Sequence, residues 1–321
     1  MDPSKTLVTI FGGSGFVGTQ VVQALARRGY RVRVAVRRPD LAGHLRPLGA
    51  VGQVMPVQAN VRNAASVERA VRGAGIVINL VAIGYEAGRQ RFRAVNTMGA
   101  RHIAQAAKAA GAHALVHMSA LGADGQSASG YARSKALGEA EVLAAFPEAV
   151  IVRPSIIFGQ GDGFFNRYGS LARLFPVLPL FGGKTRFQPI YVGDVAEAIV
   201  AAAEGRVKGG RAYELGGPEV ATHRDLVQRV LDKTGRGNPL LPLPAAIGKL
   251  MALPFAFLPW APLLTADQVD LLQVDNVVSE AARQDGRTLS AFGVAPTAMD
   301  AVLDGYLWRF MKHGQFDRQT A

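Results

Sequence analysis

Short apolar stretches alternate with amphipathic stretches through the first half of the chain. Runs of β-branched and apolar residues are typical of buried strands, whereas apolar positions three and four residues apart are typical of helices. On this pattern we predict strands at Leu7–Phe11, Arg31–Val36, Val54–Gln58, Ile76–Val81, Ala114–Met118 and Ala149–Pro154. The helices predicted between them are Gly15–Arg28, Ala64–Val71, Asn96–Ala110 and Tyr131–Ala145.

Strands that alternate with helices in this way form right-handed β–α–β units around a parallel sheet. The pattern loosens after Pro154, where we predict a loop at Gly159–Gly163, a strand at Phe187–Tyr191 and a helix at Gly193–Ala203. The expected fold is therefore α/β, a Rossmann doubly wound parallel sheet with a smaller, discontinuous C-terminal lobe. The sheet domain is predicted to comprise residues 1–158 and 187–204. The smaller lobe is predicted to comprise residues 159–186 and 205–321.

One apolar segment in the C-terminal half has two interpretations. Leu250–Ala266 carries no charge, but it is shorter than the roughly 20 residues of a membrane span. It also contains Pro254, Pro259 and Pro262, each of which costs roughly 3 kcal/mol inside a helix, so we predict no transmembrane helix. The segment is either a hairpin packed on the main domain or an exposed surface for a membrane or a membrane protein.

The tail Tyr306–Arg318 mixes aromatic and basic residues. This composition suits either an interface with a partner or an anionic surface, or a terminal helix docked on the chain's own core. The residues concerned are Trp308, Arg309, Phe310, Lys312, His313 and Phe316.

The chain is basic and has no cysteine. Its 36 Lys and Arg against 24 Asp and Glu give a formal charge of +12, which suits a nucleic acid, an anionic membrane or an acidic protein. No recognition helix or aromatic-interleaved basic ribbon is present, so nucleic acid is the least favoured partner. The absence of cysteine excludes disulfides and thiolate catalysis. The six histidines show no metal-ligand spacing, so we predict no metal site.

The N-terminus has neither the apolar core of a signal peptide nor the Arg-rich face of a transit peptide. It leads from Met1 directly into the first predicted strand, which predicts a cytoplasmic location. The excess of Arg over Lys, with abundant Ala and Gly, indicates a bacterial chain encoded by GC-rich DNA.

The first predicted strand ends in a glycine-rich loop that opens a helix. Gly12 suits the tight turn after the strand, Gly15 lets the backbone approach a pyrophosphate, and Gly18 lets the helix pack closely on the sheet. A helix N-terminus offers free N–H groups and a positive dipole to phosphates. The spacing between Gly12 and Gly15 is one residue longer than that between the first two glycines of the dinucleotide-binding fingerprint Gly-x-Gly-x-x-Gly. A predicted strand and a predicted helix flank the loop, as that fingerprint requires. The loop reads Gly12, Gly13, Ser14, Gly15, Phe16, Val17, Gly18.

The end of the second strand predicts which nicotinamide dinucleotide is bound. A protein that selects NAD usually places Asp or Glu there, on the ribose 2′-hydroxyl. This chain has Arg37 and Arg38 instead, and no acid before Asp40. A guanidinium binds a 2′-phosphate through charge-assisted hydrogen bonds, worth roughly 1.5–3 kcal/mol. We therefore predict NADP(H) rather than NAD(H); a solvent-facing position is the alternative for Arg38.

A tyrosine and a lysine four residues apart open the helix after the fifth strand. Residues at this spacing share a helix face, so Tyr131 and Lys135 can act at one site, the phenol exchanging a proton with a carbonyl or alcohol. A nearby cation would lower the tyrosine pKa from its ordinary value near 10. Ser119 could donate to the same oxygen, with Ser127 and Ser129 as alternative donors. Ser119, Tyr131 and Lys135 are the predicted catalytic set if the chain is an enzyme.

With the glycine loop, these residues resemble the short-chain dehydrogenase/reductase superfamily in its extended or atypical branch, over most of the chain. Asn60 stands where that family usually has Asp beside the adenine. The segments Val95–Gly99, Arg153–Gly159 and Gln188–Ala196 are similar to the family's central Asn helix, its sixth-strand segment and the segment closing the substrate lobe. The resemblance adds to the cofactor site Asn60, Val61, Leu80, Val81, Ala82, Asn96, Ser119, Tyr131, Lys135, Pro154, Ser155, Ile156 and Ile157.

A narrower resemblance points to one group within that superfamily, the NADPH-binding 39-kilodalton accessory subunit of respiratory complex I and its bacterial relatives. It implies a tightly held nucleotide of structural role, near the quinone site at the junction of the peripheral and membrane arms, with other complex I subunits as partners. The segments that carry it are Tyr131–Glu139, Phe146–Ala149, Arg153–Gly159 and Leu264–Val278.

Two main functions therefore stay open. The first is a complex I accessory subunit, peripheral on the cytoplasmic side of a bacterial inner membrane. The alternative is a free cytoplasmic NADP(H)-dependent reductase or dehydrogenase, acting through Tyr131 and Lys135 on an apolar carbonyl, quinone or isoprenoid-like substrate; a nucleotide-sensing regulator is a lesser possibility. Beyond Phe158 no cluster of Arg or Lys is arranged for a sugar-nucleotide diphosphate, which disfavours a sugar-nucleotide epimerase.

Overall fold

A computed structural model describes residues 2–257 and 262–314. Their contacts form two compact units, each assembled from several segments of the chain. The first unit comprises the residues up to Pro154, Val192–Leu215 and Ser279–Ala295. The second comprises Ser155–Tyr191, Gly216–Val278 and the described residues from Pro296 onward.

Strands and helices alternate along most of the chain. The strands are β1 (Leu7–Phe11), β2 (Arg31–Val36), β3 (Val54–Gln58), β4 (Ile76–Asn79), β5 (Ala114–Met118), β6 (Val150–Pro154), β7 (Ile157–Phe158), β8 (Leu178–Leu180), β9 (Arg186–Phe187), β10 (Ile190–Tyr191), β11 (Arg211–Leu215), β12 (Ala221–Thr222) and β13 (Leu240–Pro242). The α-helices are α1 (Phe16–Arg27), α2 (Ala64–Val71), α3 (Met98–Ala109), α4 (Gly130–Ala145), α5 (Phe165–Leu174), α6 (Val192–Ala203), α7 (His223–Lys233), α8 (Ala245–Ala252), α9 (Ala266–Leu271), α10 (Glu280–Gln284) and α11 (Asp300–Leu307). Short 3-10 helices cover Pro3–Lys5, Pro39–Leu48, Pro254–Phe257, Leu289–Phe292 and Trp308–Phe310, and a π-helical turn covers Arg93–Thr97.

The first unit contains a seven-stranded sheet in the order β11-β6-β5-β4-β1-β2-β3. All its strand pairs are parallel; Val8 of β1, for example, lies opposite Val32 of β2 and Ile76 of β4. Helices α1 and α6 pack on each other, and α2, α3 and α4 pack in a row. The strand order reverses between β1 and β4, which is the switch point at which such sheets bind ligands. The predicted Rossmann-type α/β fold is confirmed.

The core between the sheet and the α2–α3–α4 layer explains the apolar runs in the sequence. Val67, Ile103 and Val142 of these helices belong to one buried cluster with Val77 and Leu115 of the strands. Strands covered on both faces must be apolar at almost every position. Burying one such side chain contributes about 1.5–3 kcal/mol, so this layer holds the sheet and its carboxyl edge in place.

Three predicted elements differ clearly from those observed, two of them because of a nearby polar or proline residue. β4 ends at Asn79 rather than at Val81, since the Asn79 side-chain oxygen accepts the Val81 N–H at 3.1 Å and turns the chain. The predicted helix 96–110 begins with the π-helical turn instead of at Asn96. The predicted strand 187–191 is divided at Pro189, which has no N–H for a ladder, so β9 pairs with β12 and β10 with β7.

The unit boundaries follow strand pairing that the sequence pattern does not display. Residues 205–215 and 279–295, which were predicted to belong to the smaller lobe, lie in the first unit. Strand β11 extends the parallel sheet beside β6, and the Glu214 N–H donates to the Arg287 carbonyl at 2.9 Å. Conversely, residues 155–158 and 187–191 belong to the second unit, in which β7 and β10 pair with each other.

The second unit is built around an aromatic and aliphatic cluster. Phe158, Phe165 and Leu303 lie in this cluster and are fully buried. Asp162 accepts the Phe165 N–H at 2.7 Å at the start of α5, and the Tyr306 hydroxyl donates to Asp162 at 2.5 Å. The described part of the C-terminal tail is therefore docked on its own unit; Phe316 lies outside the described residues.

The apolar segment 250–266 exposes large side chains. Leu250 and Leu253 are 66% and 56% exposed, and Met251 and Leu263 are also exposed, whereas Ala252 is buried. Across 2–257 and 262–314, no helix is both long and apolar enough to cross a membrane. Pro259 lies outside the described residues. The described part of this segment thus matches the exposed-surface interpretation better than that of a packed hairpin.

Candidate functional site

A cleft of about 300 Å³ opens at the carboxyl ends of β1–β4 in the first unit. This is the edge at which the strand order reverses and at which Rossmann-type sheets bind nucleotides. The residues that line it are Gly12, Ser14, Gly15, Ala35, Val36, Arg37, Ala59, Asn60, Val61, Arg62, Leu80, Val81, Ala82, Ile83, Gln90 and Val95.

The glycine loop has the backbone geometry that close phosphate contact requires. Gly12 has a φ of +81°, and a Cβ there would come within 3.2 Å of the Leu80 carbonyl carbon. A Cβ on Gly18 would lie 2.3 Å from the Gly12 carbonyl oxygen, so only glycine lets α1 start this close to the loop. Gly15, the N-cap of α1, makes no side-chain capping bond to the first N–H groups of the helix. Those N–H groups suit the pyrophosphate of a dinucleotide.

The charges of the cleft lining also fit an anionic dinucleotide. Arg37 and Arg62 line the cleft, and no Asp or Glu is among the described residues that do so. Positive charge without a competing carboxylate favours phosphate over a neutral ligand. The residues present therefore fit a nicotinamide dinucleotide.

Many of the residues predicted to bind the cofactor come together here. They are Gly12, Ser14, Gly15, Arg37, Asn60, Val61, Leu80, Val81 and Ala82. Gly13, Phe16, Val17 and Gly18 belong to the loop and the first turn of α1, and are not among the described residues that line the cleft.

The two arginines at the end of β2 have different environments. Arg37 lines the cleft, and its Nη1 donates to the Gln90 side-chain oxygen at 2.7 Å. Arg38 forms an exposed ion pair with Asp40, at 2.7 Å between Nη2 and Oδ2, and the described cleft lining does not include it. Of these two neighbouring arginines, Arg37 is the one placed for a ligand in this cleft.

Asn96 supports the cleft from behind rather than lining it. Its side-chain oxygen accepts the Ile83 N–H at 2.9 Å, and its Nδ2 donates to the Ile83 carbonyl and to Ser134 Oγ at 3.1 and 3.0 Å. Ser134 in turn donates to the Tyr131 carbonyl at 2.7 Å. Asn96 lies in the π-helical turn, a feature common at functional sites. Its hydrogen bonds connect the cleft wall at Ile83 to the first turn of α4.

The Tyr131, Lys135 and Ser119 set lies where β5 meets α4. Ser129 caps α4 by accepting the Ala132 N–H at 3.1 Å, which starts the helix just before Tyr131. The half-buried Tyr131 ring packs edge-to-face on Phe92, with centroids 6.1 Å apart. The Lys135 ammonium is buried and donates to the Met118 carbonyl at 2.8 Å. Burial lowers the pKa of Lys135 to about 8, although nearby Glu139 opposes the shift.

Two polar groups on β5 and directly after it are buried beside this set. The Ser119 hydroxyl and the His117 Nε2 have no hydrogen-bond partner among the described residues. The Asn79 Nδ2 donates to the His117 Nδ1 at 2.9 Å. Burial, with the Lys135 charge, holds the pKa of His117 well below its usual value, so the ring is neutral. A buried hydroxyl normally has a partner, and a bound cofactor or substrate would provide one for Ser119.

A buried ion pair fixes α4 against the sheet. Arg153 of β6 donates to both carboxylate oxygens of Glu139, at 2.9 and 2.5 Å, and lies 3.9 Å from Glu214 of β11. The pair joins α4 to two strands at the end of the sheet. It holds Lys135, one turn away on α4, in its buried position.

The residues that follow β6 enter the second unit. Pro154 ends β6, whereas Ser155, Ile156 and Ile157 belong to the second unit. There Ser155 Oγ donates to the Asn276 side-chain oxygen at 2.7 Å. These residues connect Arg153–Gly159 to Leu264–Val278, two segments on which the narrower resemblance rests.

Sequence reasoning missed several residues of the cleft. Ala35, Val36 and Ala59 are strand-end residues beside predicted ones, so their positions could have been inferred. Arg62 comes one residue after the predicted pair at 60–61, and Gln90 is presented by a turn far along the chain. The full set of missed residues is Ala35, Val36, Ala59, Arg62, Ile83, Gln90 and Val95.

The fold and the cleft define a nicotinamide-dinucleotide-binding protein of the short-chain dehydrogenase/reductase type. Residues 8–216 match the model of the NAD dependent epimerase/dehydratase family. The "NADH dehydrogenase [ubiquinone] 1 alpha subcomplex subunit 9, mitochondrial" of Arabidopsis thaliana is 37% identical over 87% of this chain and 72% of its own length. That of Mus musculus is 36% identical over 92% of this chain and 78% of its own. The chain belongs to the NAD dependent epimerase/dehydratase family and, within it, to the family of these complex I subunits.

A shorter similarity connects the chain to an enzyme. The "Ceramide reductase" of Caulobacter vibrioides is 38% identical over 62% of this chain and 61% of its own length.

The solved structures agree on the fold. The UDP-glucose 4-epimerase of Thermotoga maritima superposes with a TM-score of 0.69 at 17% identity, over 94% of this chain and 97% of the other. WbmH of Bordetella bronchiseptica, solved with NAD⁺, gives 0.68 at 18% identity, over 96% and 99%. At this identity the likeness is one of fold alone.

Proposed function

We propose that the chain is an NADP(H)-binding accessory subunit of respiratory complex I, in which the nucleotide is mainly structural. The observation that carries this proposal is the extent of the similarity. The complex I subunits of Arabidopsis thaliana and Mus musculus match 87% and 92% of the chain, whereas the ceramide reductase matches 62%. Similarity over 87–92% of the chain takes in residues of both units.

Lys135 has a structural use in the first unit. The residue is 1% exposed, and its ammonium donates to the Met118 carbonyl at 2.8 Å. One of its three N–H groups thereby holds α4 against the end of β5.

The preference for NADP(H) rests on Arg37. Its guanidinium lines the cleft at the end of β2, where a carboxylate would select NAD. The glycine loop and the start of α1 would hold the pyrophosphate, and Asn60 and Val61 would lie along the adenine. When bound, the nicotinamide supplies or accepts a hydride. Ser119 would then offer its hydroxyl to a substrate or cofactor oxygen.

The second unit has the surface expected for assembly. Leu250, Met251, Leu253 and Leu263 are exposed, and side chains of this size on one short segment favour an interface over solvent. We assign this surface to contact with complex I subunits and the membrane surface beside them, on the cytoplasmic side of a bacterial inner membrane and near the quinone site.

A second candidate function is a free NADP(H)-dependent reductase or dehydrogenase on an apolar carbonyl, quinone or isoprenoid-like substrate. The observation that favours it is the buried Ser119 hydroxyl, which directly follows β5 and has no hydrogen-bond partner among the described residues. In this function Tyr131 would exchange the proton and Ser119 would bind the same oxygen. The similarity to a ceramide reductase supports an apolar substrate.

Gentle purification from native membranes separates the two functions. The preparation is sized on a column, and the nucleotide released by denaturation is identified by mass spectrometry. Stoichiometric NADP(H) in a membrane-derived assembly that contains complex I subunits is the expected result. A free homo-oligomer that retains no nucleotide and turns over NADPH with an apolar carbonyl would overturn the proposal.

The variant Tyr131→Phe tests the role of the nucleotide. It removes only the phenolic hydroxyl, so we expect unchanged nucleotide retention and unchanged complex I assembly. NADH:ubiquinone activity of the assembled complex should also be unchanged. Loss of a cellular function with retention and assembly intact would show that Tyr131 performs chemistry.

A further inference from the structure

The cleft contains a second arginine that no resemblance assigns to the cofactor. Arg62 follows β3 and lines the same cleft as Arg37. Its Nη1 donates to the Arg89 carbonyl at 2.9 Å, and Arg37 Nη1 donates to the side chain of the next residue, Gln90, at 2.7 Å. The two guanidinium groups are thus bound to adjacent residues of one turn, which places them near each other.

The turn that holds them is itself well ordered by short-range bonds. Ala87 and Gln90 exchange backbone hydrogen bonds at 3.0 and 2.9 Å. The nearest carboxylate in the sequence, Glu86, accepts the Phe92 N–H at 2.7 Å and lies 3.3 Å from Arg91. The other acid near this end, Asp40, is paired with Arg38. Each of these carboxylates therefore has its own partner, and neither is among the described residues that line the cleft.

We propose that Arg62 is a second binding residue for a 2′-phosphate and forms with Arg37 a two-arginine clamp. This inference rests on the proposed preference for NADP(H) and deepens it. A guanidinium has five N–H donors, and each arginine uses only one nitrogen for the turn. The remaining donors can take up phosphate oxygens in the bidentate geometry that arginine favours. Two cations match a dianionic phosphate better than one. NAD has a hydroxyl at this position and therefore offers the two arginines no anion to bind.

The test compares a phosphorylated with an unphosphorylated ligand on the full-length protein. The probes are adenosine 2′,5′-bisphosphate and 5′-AMP, which differ only in the 2′-phosphate, and calorimetry measures both dissociation constants. For Arg62→Gln we expect binding of the bisphosphate to weaken about ten- to a hundredfold, while binding of 5′-AMP changes less than about threefold. Arg37→Gln should behave in the same way.

Arg89→Gln is the matched control. It removes one positive charge from the same turn, but only its backbone oxygen contacts Arg62, so both affinities should stay near those of the native protein. Arg62→Lys keeps the charge without the planar fork and should lie between the native protein and Arg62→Gln. Thermal melting of each variant establishes that the fold is intact.

The outcomes distinguish this inference from the proposed function. If Arg37→Gln discriminates between the probes and Arg62→Gln weakens both equally or neither, the clamp is refuted while the NADP(H) preference stands. If neither variant discriminates and the native protein binds both probes alike, the NADP(H) preference itself fails. If Arg62→Gln unfolds the protein, Arg62→Lys decides: selectivity equal to that of the native protein would overturn the clamp.

Discussion

At the scale of single residues, close contacts and burial decide what each side chain does. Gly18 lies against the backbone of the glycine loop, so its missing Cβ is a steric requirement. Lys135, which was predicted from the sequence to be one half of a catalytic pair, is buried, and its ammonium donates to the Met118 carbonyl. Arg37 and Arg38 are neighbours in sequence, yet one lines the cleft and the other pairs with Asp40 in solvent.

Gly18→Ala should abolish nucleotide binding and destabilise the protein. The new Cβ would lie 2.3 Å from the Gly12 oxygen and 2.5 Å from the Gly13 Cα, so α1 or the loop must move. Overpacking of this kind costs about 1–3 kcal/mol. Chemical unfolding and NADPH titration measure both effects. Gly43→Ala, where a Cβ would meet nothing within 4 Å, is the control; equal behaviour of the two variants would contradict the packing argument.

The burial of Lys135 predicts a pH-dependent stability. Its pKa of about 8 in the folded protein lies below the ordinary 10.5. Between these values the unfolded chain binds a proton that the folded one has released, so the free energy of unfolding rises with pH there. Relative to Lys135→Met, the native protein should gain up to about 1 kcal/mol per pH unit from pH 8 to 10.5 and nothing below pH 8.

Urea unfolding at several pH values measures this difference. Lys108→Met, at an exposed lysine of the same unit, is the control for losing one positive charge. A difference between native protein and Lys135→Met that stays constant from pH 7 to 10.5 would mean that Lys135 is not buried as described.

At the scale of elements, the start of α4 determines where the tyrosine–lysine pair lies. Ser129 caps the helix, Ser134 bonds back to Tyr131 and forward to Asn96, and Glu139 is paired with Arg153. Ser134, Lys135 and Glu139 thus attach α4 to the π-helical turn, to β5 and to β6. The cleft wall at Ile83 depends on the same helix through Asn96.

Ser129→Ala should destabilise the protein by about 1 kcal/mol, because the first turn of α4 loses its cap. Since Ser134 of α4 bonds to Asn96, which holds the cleft wall at Ile83, nucleotide affinity should also fall by a few-fold. Ser279→Ala removes a similar cap, at 3.2 Å to Ala282, from α10. It should cost similar stability in chemical unfolding, while NADPH affinity stays unchanged. A loss of affinity as large in Ser279→Ala as in Ser129→Ala would show that α4 has no special connection to the cleft.

At the scale of the whole molecule, the two units carry different properties. The first contains the cleft and the predicted catalytic set, whereas the second contains the exposed leucines of α8 and the segment after it. The complex I subunits are similar to the chain across both units. Nucleotide binding and assembly should therefore respond to separate substitutions.

Leu250→Glu should reduce recovery of the chain in the membrane-derived assembly without changing its affinity for NADPH. The substitution places a charge on the exposed apolar surface of the second unit, where desolvating it would disfavour an interface. Leu41→Glu, at an equally exposed leucine of the first unit (66% in both cases), is the control. Equal recovery of the two variants in co-fractionation would show that this surface takes no part in the assembly.

The sequence by itself determined the elements and the loop that depend on local pattern. Apolar runs, helical spacing and Gly12–Gly18 specify β1, α1 and the phosphate loop, because steric limits and the burial of one face act within a few residues. The parallel direction of the central strands followed from the alternation of strands with helices. The glycine loop and its flanking strand and helix also predicted that the ligand is a nicotinamide dinucleotide.

Only the tertiary structure decided the rest, because it depends on residues far apart in the chain. β11 completes the sheet beside β6 through hydrogen bonds across about 60 residues of sequence. Gln90 reaches the cleft because its turn accepts hydrogen bonds from the distant Arg37 and Arg62, and no local pattern encodes that contact. The buried state of Lys135 depends on β5 and on the Glu139–Arg153 pair. Long-range packing, rather than the spacing of the motif, therefore determines whether a tyrosine–lysine pair faces a ligand or holds the fold together.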